Sequence, residues 1–127
     1  MGGPIDTVAQ LVEAINQGDL PASVALYEPN AVLVVRPGQV ARGAAEIRDA
    51  LAGFVALNAT LRSETQRVLE AHNVALYLGR WSLRGTDPRG LEVLLSGEST
   101  DVLRRQPDGR WLIALDNPWG AQLLSSP

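Results

Sequence analysis

Four stretches between residues 60 and 117 alternate apolar and polar side chains with a period of two: TLRSETQRVLEA, VALYLGRWSLRG, LEVLLSGESTDVLRR and WLIALDN. That period puts successive side chains on opposite faces of an extended chain, so each stretch reads as a β-strand. The connections HN, TDPRG and QPDG are turn-like in composition and short enough only for antiparallel neighbours. Half of the chain is thereby committed to one antiparallel sheet. Its strands run to about fifteen residues, well beyond the usual length, and such a sheet must bend. Gly79 and Gly97, inside two of the strand patterns, are where bulges or bends are expected.

Upstream the period changes. Ile5, Val8, Val12 and Ile15 share one helical face, with Leu11 at its flank and Gly18 as a stop. Asp19 caps a second helix that starts at Leu20-Pro21 and is expected to continue through Tyr27 until Pro29 and Asn30 break it. AVLVVR, residues 31–36, is a β-branched strand turned back by Pro37-Gly38, and Gly43 opens a third helix with Ile47, Leu51 and Phe54 inward. Three helices followed by a long sheet give an α+β fold in which the sheet curls round a helix layer. With 127 residues and no linker or repeat, one domain over residues 1–127 is expected.

Composition narrows the chemistry. There is no Cys and a single His, His72 in the turn EAHN, so thiolate zinc sites, redox dithiols, His clusters and Cys nucleophiles are excluded within one chain. No metal and no cofactor are expected. The net charge is −3 without a basic stripe, which argues against a nucleic-acid partner. MGGPIDTVAQ has neither a basic nor an apolar leader segment, and nowhere do about 18 apolar residues run together. No membrane partner and a cytoplasmic location are expected.

The acids are the remaining candidates. If Arg105 pairs with Arg110 across QPDG, then 103 faces 112, 101 faces 114 and 99 faces 116. One face of the sheet then carries Ser99, Asp101 and Leu103 beside Leu112, Ala114 and Asp116, the wall of a pocket. Asp101 and Asp116 become diagonal neighbours, Cα atoms roughly 5.5–8 Å apart. Two carboxyls that close on an apolar face repel, so one holds its proton while the other can accept one. A one-residue slip would send one acid to the other face. The plain alternatives are a buried Asp101 bonding backbone amides at a bulge and a strand-end Asp116 bonding the amides of Asn117 or Trp119.

Other residues join this pocket by the same reasoning. If 84 pairs with 91, Arg80 falls on the face of Leu95 and could lie between acids or grip an anionic group, its alternative being an exposed strand residue. Tyr27 could show its hydroxyl to the pocket mouth or pack in the core, and Trp119 could close one end of the cavity. The opposite face, with Trp111, Ile113, Leu115, Val102 and Leu94, is too apolar to leave in water, so a homodimer through that outer face is expected, with Trp81 packed there too.

NQGDLPASVALYEPNAVLV, the GAAEIRDAL helix and the SGESTDVLRRQPDGRWLIALDNPW hairpin together resemble the SnoaL-like, ketosteroid isomerase-related branch of the nuclear transport factor 2-like superfamily, from about Val8 to Trp119. The resemblance implies a cystatin-like cone, three helices packed on a curved antiparallel sheet that encloses an apolar pocket, usually dimeric through the outer sheet face. By the same resemblance the isomerase general base falls at Val35 and its oxyanion-hole Tyr at Leu11, and neither can do that chemistry. Its second oxyanion donor falls on Asp101. Asp116 is similar in position to the strand-end Asp that serves polyketide cyclases as base and epoxide hydrolases within an Asp-Arg-Asp arrangement. The expectation is an enzyme of isomerase, cyclase or hydrolase type, without a cofactor, in which Asp101, Asp116 and Arg80 act on an apolar carbonyl- or epoxide-bearing molecule. That molecule would be held by Tyr27, Trp119, Ser99, Leu103 and Ala114. The alternative is a non-catalytic module that binds apolar ligands or associates as a dimer.

Overall fold

Pro4 starts helix α1, Pro4–Asn16, where a missing N–H costs nothing, and the Asp6 carboxylate turns back to the Gly3 amide at 2.9 Å. The helix buries Val8, Leu11 and Ile15 and stops at Gly18, whose φ of 71° suits glycine. Asp19 caps α2, Leu20–Val24, by accepting the Ala22 amide at 3.0 Å. The computed structural model describes residues 2–125, and among them no helix is long and apolar enough to cross a membrane.

The second helix is shorter than its composition suggests. Tyr27 begins a strand, β1 (Tyr27–Arg36), instead of ending a helix. Glu28 precedes Pro29, which disfavours helical backbone, and the Leu26 carbonyl accepts the Ile113 amide at 2.9 Å, so sheet pairing overrides local propensity. After β2, Gln39–Arg42, helix α3 runs from Gly43 to Val55. Strands β3 (Thr60–Ala71), β4 (Val74–Thr86), β5 (Glu92–Arg105) and β6 (Trp111–Asp116) follow, and a 3₁₀ helix covers Gly120–Ser125.

The six strands form one sheet in the order β2-β1-β6-β5-β4-β3. All neighbours are antiparallel except β1 and β6, which run parallel. The helices lie on its concave face, where Ile47, Tyr77, Leu103 and Ile113 are almost wholly buried. This is the α+β architecture of helices on a curved sheet. At Gly79 the β3/β4 register shifts, between Thr65 and Arg67, as expected of a bend. Past Gly97 the β4/β5 ladder runs unbroken, so no bulge sits there; a Cβ would stand 2.7 Å from the Pro118 carbonyl, and it is this close approach that requires glycine.

Two hairpins close differently from their simplest reading, and each difference moves side chains across the sheet. The Gln106 amide bonds the Arg110 carbonyl at 2.7 Å, so Arg105 pairs with Trp111 and Leu103 with Ile113. This one-residue slip turns Trp111 and Ile113 inward, where they are 7% and 2% exposed, and turns Leu112 to the face of Arg104. In the other hairpin the Asp87 side chain accepts the Arg89 and Leu91 amides, and the loop closes with Thr86 opposite Glu92. Arg80 consequently pairs with Glu98 on the outer face, and Trp81 with Gly97 on the inner one. The outer face keeps an apolar row in which Leu69, Leu76, Val102, Leu115 and Val32 neighbour one another across five strands.

Candidate functional site

Between the helices and the inner sheet face lies a cavity of about 110 Å³. Leu11 and Ile15 of α1 and Leu51 and Phe54 of α3 form one wall, and Val35, Trp81 and Trp119 border the other side. Trp119 stands edge-on to Trp81, ring centres 5.2 Å apart and planes at 81°. Both indole N–H groups are used on backbone: Trp81 donates to the Pro118 carbonyl at 2.6 Å and Trp119 to that of Val35 at 3.0 Å.

Into one end of this largely apolar space project three buried groups, Tyr27, Asp101 and Asp116. The Tyr27 hydroxyl donates to Asp116 Oδ2 at 2.6 Å, and the Asn117 amide donates to Asp101 Oδ1 at 2.8 Å. Asp101 and Asp116 are opposite one another, one step beyond the Val102–Leu115 pair, and their carboxyls share a hydrogen bond. Tyr27, Asp101 and Asp116 are 5%, 7% and 9% exposed, so little water reaches them. Asn117 fixes the strand end by donating to Thr100 Oγ1 at 3.0 Å and to the Gly120 carbonyl at 3.2 Å.

Burial drives the titration of all three. It raises Asp101 well above the ordinary carboxylate range, and the charge of Asp116 adds to it, while the Asn117 amide and Ser99 hydroxyl oppose it more weakly. Burial also raises Asp116, but hydrogen bonds from Tyr27 and Asp101 hold it down. The Tyr27 phenol is pushed well up by burial and then by the Asp116 charge. The pair therefore favours holding one proton between its two carboxyls, with Asp116, which accepts from Tyr27, the better placed to carry the charge.

The cavity brings together Asp101, Asp116, Tyr27, Trp119 and Ser99. Three other candidates lie elsewhere. Arg80 is exposed and bonds Glu98 Oε2 at 3.1 Å, because the loop after β4 closes with Thr86 opposite Glu92 rather than 84 opposite 91, and this three-residue change of register reverses its face. Leu103 points inward but is packed in the core against Ala75 and Ile113, with no surface on the cavity. Ala114 is the unpaired residue of a bulge between Ile113 and Leu115. Leu11 and Val35, apolar residues at the positions the resemblance gives to a Tyr and a base, do line the cavity. Sequence reasoning misses Ile113, Ser63 and Tyr77, which also border it. Tyr77 has a signal: Gly79, two residues on and on the same face, leaves room for its ring, 2.7 Å from where a Cβ would be. Among the described residues no group of three or more His, Cys, Asp or Glu side chains could hold a metal ion.

A family model described as the SnoaL-like domain matches residues 8–113. Among curated proteins none matches the sequence. Solved structures share the fold. A nuclear transport factor 2-like superfamily protein from Salmonella enterica serovar Typhimurium superposes with a TM-score of 0.78 at 16% identity, over 88% of this chain and 84% of that one. A ketosteroid isomerase-like protein from Erwinia carotovora atroseptica gives 0.75 at 21% identity, over 87% and 88%. A Catenulispora acidiphila protein in complex with S-DNPA gives 0.69 at 22% identity, over 87% and 85%.

Proposed function

From the premise that this chain belongs to the SnoaL-like family, within the nuclear transport factor 2-like superfamily, we propose that it is a small-molecule enzyme whose buried Asp101–Asp116 pair performs acid–base chemistry. The substrate is an apolar molecule bearing a carbonyl or epoxide, and the reaction is of isomerase, cyclase or hydrolase type. The observation that carries this reading is the Tyr27–Asp116 bond of 2.6 Å beside Asp101 in a largely apolar cavity.

Asp116 is the general base. Its carboxylate takes a proton from a carbon next to the substrate carbonyl, the C–H electron pair becomes the enolate, and the negative charge moves to the carbonyl oxygen. Protonation of Asp116 ends its need for two donors. The Tyr27 and Asp101 O–H groups are thereby freed for the new oxyanion, so the charge that leaves the carboxylate is met by groups already in place. Ketosteroid isomerase likewise uses a neutral Asp in an apolar site to donate to an oxyanion; here Leu11 and Val35 replace that enzyme's other groups, so its own route does not apply.

Deuterium uptake next to the carbonyl of apolar ketones in D₂O, followed by NMR, tests the proposal, with styrene oxide hydrolysis as the epoxide arm. Wild-type protein should catalyse one of them, and Asp116→Asn should lose about 10²–10⁴-fold of the rate. No turnover above buffer across the panel, or full turnover by Asp116→Asn, refutes it. Binding that survives both Asp101→Asn and Asp116→Asn would then mark a ligand-binding module. We also propose a homodimer through the outer sheet face, because Leu69, Leu76 and Leu115 of the apolar row are 52%, 37% and 39% exposed.

A further inference from the structure

Across the inner sheet face from the carboxyls stands a second polar group. The Tyr77 hydroxyl lies 2.9 Å from Thr65 Oγ1 and 3.4 Å from Ser63 Oγ. Tyr77 is 1% exposed, whereas Ser63 is exposed and borders the cavity, so the cluster runs from the buried floor to the mouth. Gly79 sets its position: the Tyr77 ring lies along β4 over that glycine, with Oη 3.0 Å from where a Cβ would be. Tyr77 pairs with Asp101 and Gly79 with Ser99, so the phenol oxygen is displaced from the Asp101 rung by one strand spacing and two residues, about 8 Å on the sheet.

The two ends of the cavity differ in what they still offer. At the carboxyl end Tyr27, Asp101, Asp116 and the Asn117 amide are bonded to one another. At the hydroxyl end three O–H groups share two contacts, and the one to Ser63 is at the limit of hydrogen bonding, so a donor and an acceptor remain for a third party. Among the described residues no arginine borders the cavity, and the chain has no lysine, so a negatively charged group would meet Asp116 in an apolar space without a counter-charge.

We infer that Ser63 and Tyr77 form a distal subsite that recognises an uncharged oxygen, a hydroxyl or carbonyl, at the far end of the ligand from the group held at Asp101 and Asp116. The inference rests on the cavity being the ligand site and adds its specificity. The ligand is a compact neutral molecule with two oxygen functions about one ring apart. The cavity of about 110 Å³ limits the ligand to a compact body, since one of about 150 Å³ holds a single benzene ring, and the end of the ligand at the exposed Ser63 lies at the open mouth.

Matched probes test this. Dissociation constants of acetophenone and 4-hydroxyacetophenone are measured by NMR titration, with 4-acetylbenzoate as the charged comparison. Wild-type protein should bind the hydroxylated ketone about 2–10-fold tighter than acetophenone, the range of one neutral hydrogen bond, and 4-acetylbenzoate weakest. Ser63→Ala and Tyr77→Phe should bring that ratio to about one while leaving acetophenone unchanged, and Asp116→Asn should preserve the ratio even where turnover is lost. An unchanged ratio in Ser63→Ala, whose exposed side chain the fold does not need, overturns the inference while the acid–base reading stands. Failure of both ketones to bind at millimolar concentration overturns the inference together with the pocket reading.

Discussion

Replacing Tyr27 by Phe removes one hydroxyl from a buried ring, and with it the donor 2.6 Å from Asp116 Oδ2. A hydrogen bond to a charged group contributes about 1.5–3 kcal/mol. For a chain of 127 residues that is a fall of about 6–11 °C in Tm, using the usual unfolding entropy per residue. The cost depends on pH because the bond is worth most to the carboxylate form. Burial raises Asp116 in the folded state and the Tyr27 hydroxyl counters it, so the variant raises Asp116 further. A raised carboxyl means that the native state binds more protons than the unfolded chain from about pH 3.9 up to the folded value, and stability falls as pH rises through that window. In Tyr27→Phe the fall extends to higher pH. The difference between variant and wild type should therefore be small in acid, where Asp116 is protonated in both, begin to grow as pH passes the wild-type value, and reach its full size above the variant's higher one. Urea unfolding followed by tryptophan fluorescence from about pH 4 to about pH 8 measures it. A difference below about 0.5 kcal/mol, or one that does not change with pH, refutes the reasoning that Tyr27 carries the Asp116 charge.

Asp101→Asn keeps an oxygen for the Asn117 amide and removes a titration that burial makes unfavourable, so near neutral pH it should be at least as stable as wild type. Because raised Asp101 makes wild type lose stability as pH rises above the unfolded value, the variant's melting temperature should vary less with pH, and an unaltered pH profile counts against the pair. Gly97→Ala forces a Cβ to 2.7 Å from the Pro118 carbonyl and should lower stability by about 1–3 kcal/mol while shifting Trp81 fluorescence; a silent substitution would mean that the Pro118 segment yields freely. Light scattering behind size-exclusion chromatography should give twice 13.6 kDa for wild type and 13.6 kDa for Leu76→Asp, and a wild-type monomer would refute the dimer.

Much of the fold is legible because the period-two pattern is local. The ends of β3, β4 and β5 fall within a residue of the alternating stretches that mark them. Register is not local. It depends on how Asp87 and Gln106 close their loops, and a closure that shifts the pairing by an odd number of residues, three at Asp87 and one at Gln106, exchanges the faces on which side chains of the two strands meet. Arg80, Trp81, Trp111 and Ile113 all stand on the face opposite to the expected one for this reason. The start of β1 is hidden differently: nothing near Tyr27 announces a strand, whose partner lies 86 positions along the chain at Ile113. The acids are legible as acids out of place in apolar strands, whereas the Tyr27 bond to one of them is not.

Asp101 and Asp116 meet through two departures from the simplest hairpin that compensate one another. After the loop, Ile113 faces inward opposite Leu103, and since side chains alternate, a regular strand would then put Leu115, not Asp116, on that face. Asp116 would stand opposite Thr100 and face outward with its charge among the apolar row. The extra residue at Ala114 moves Leu115 opposite Val102, and the Thr100 amide bonds the Asn117 carbonyl at 2.9 Å, which brings Asp116 opposite Asp101. One bulge thus keeps Leu115 on the outer face and turns Asp116 into the cavity. The same bulge sets the end of the ladder, after which Asn117, Pro118 and Trp119 are free to leave the sheet and close over the pocket that the carboxyls occupy.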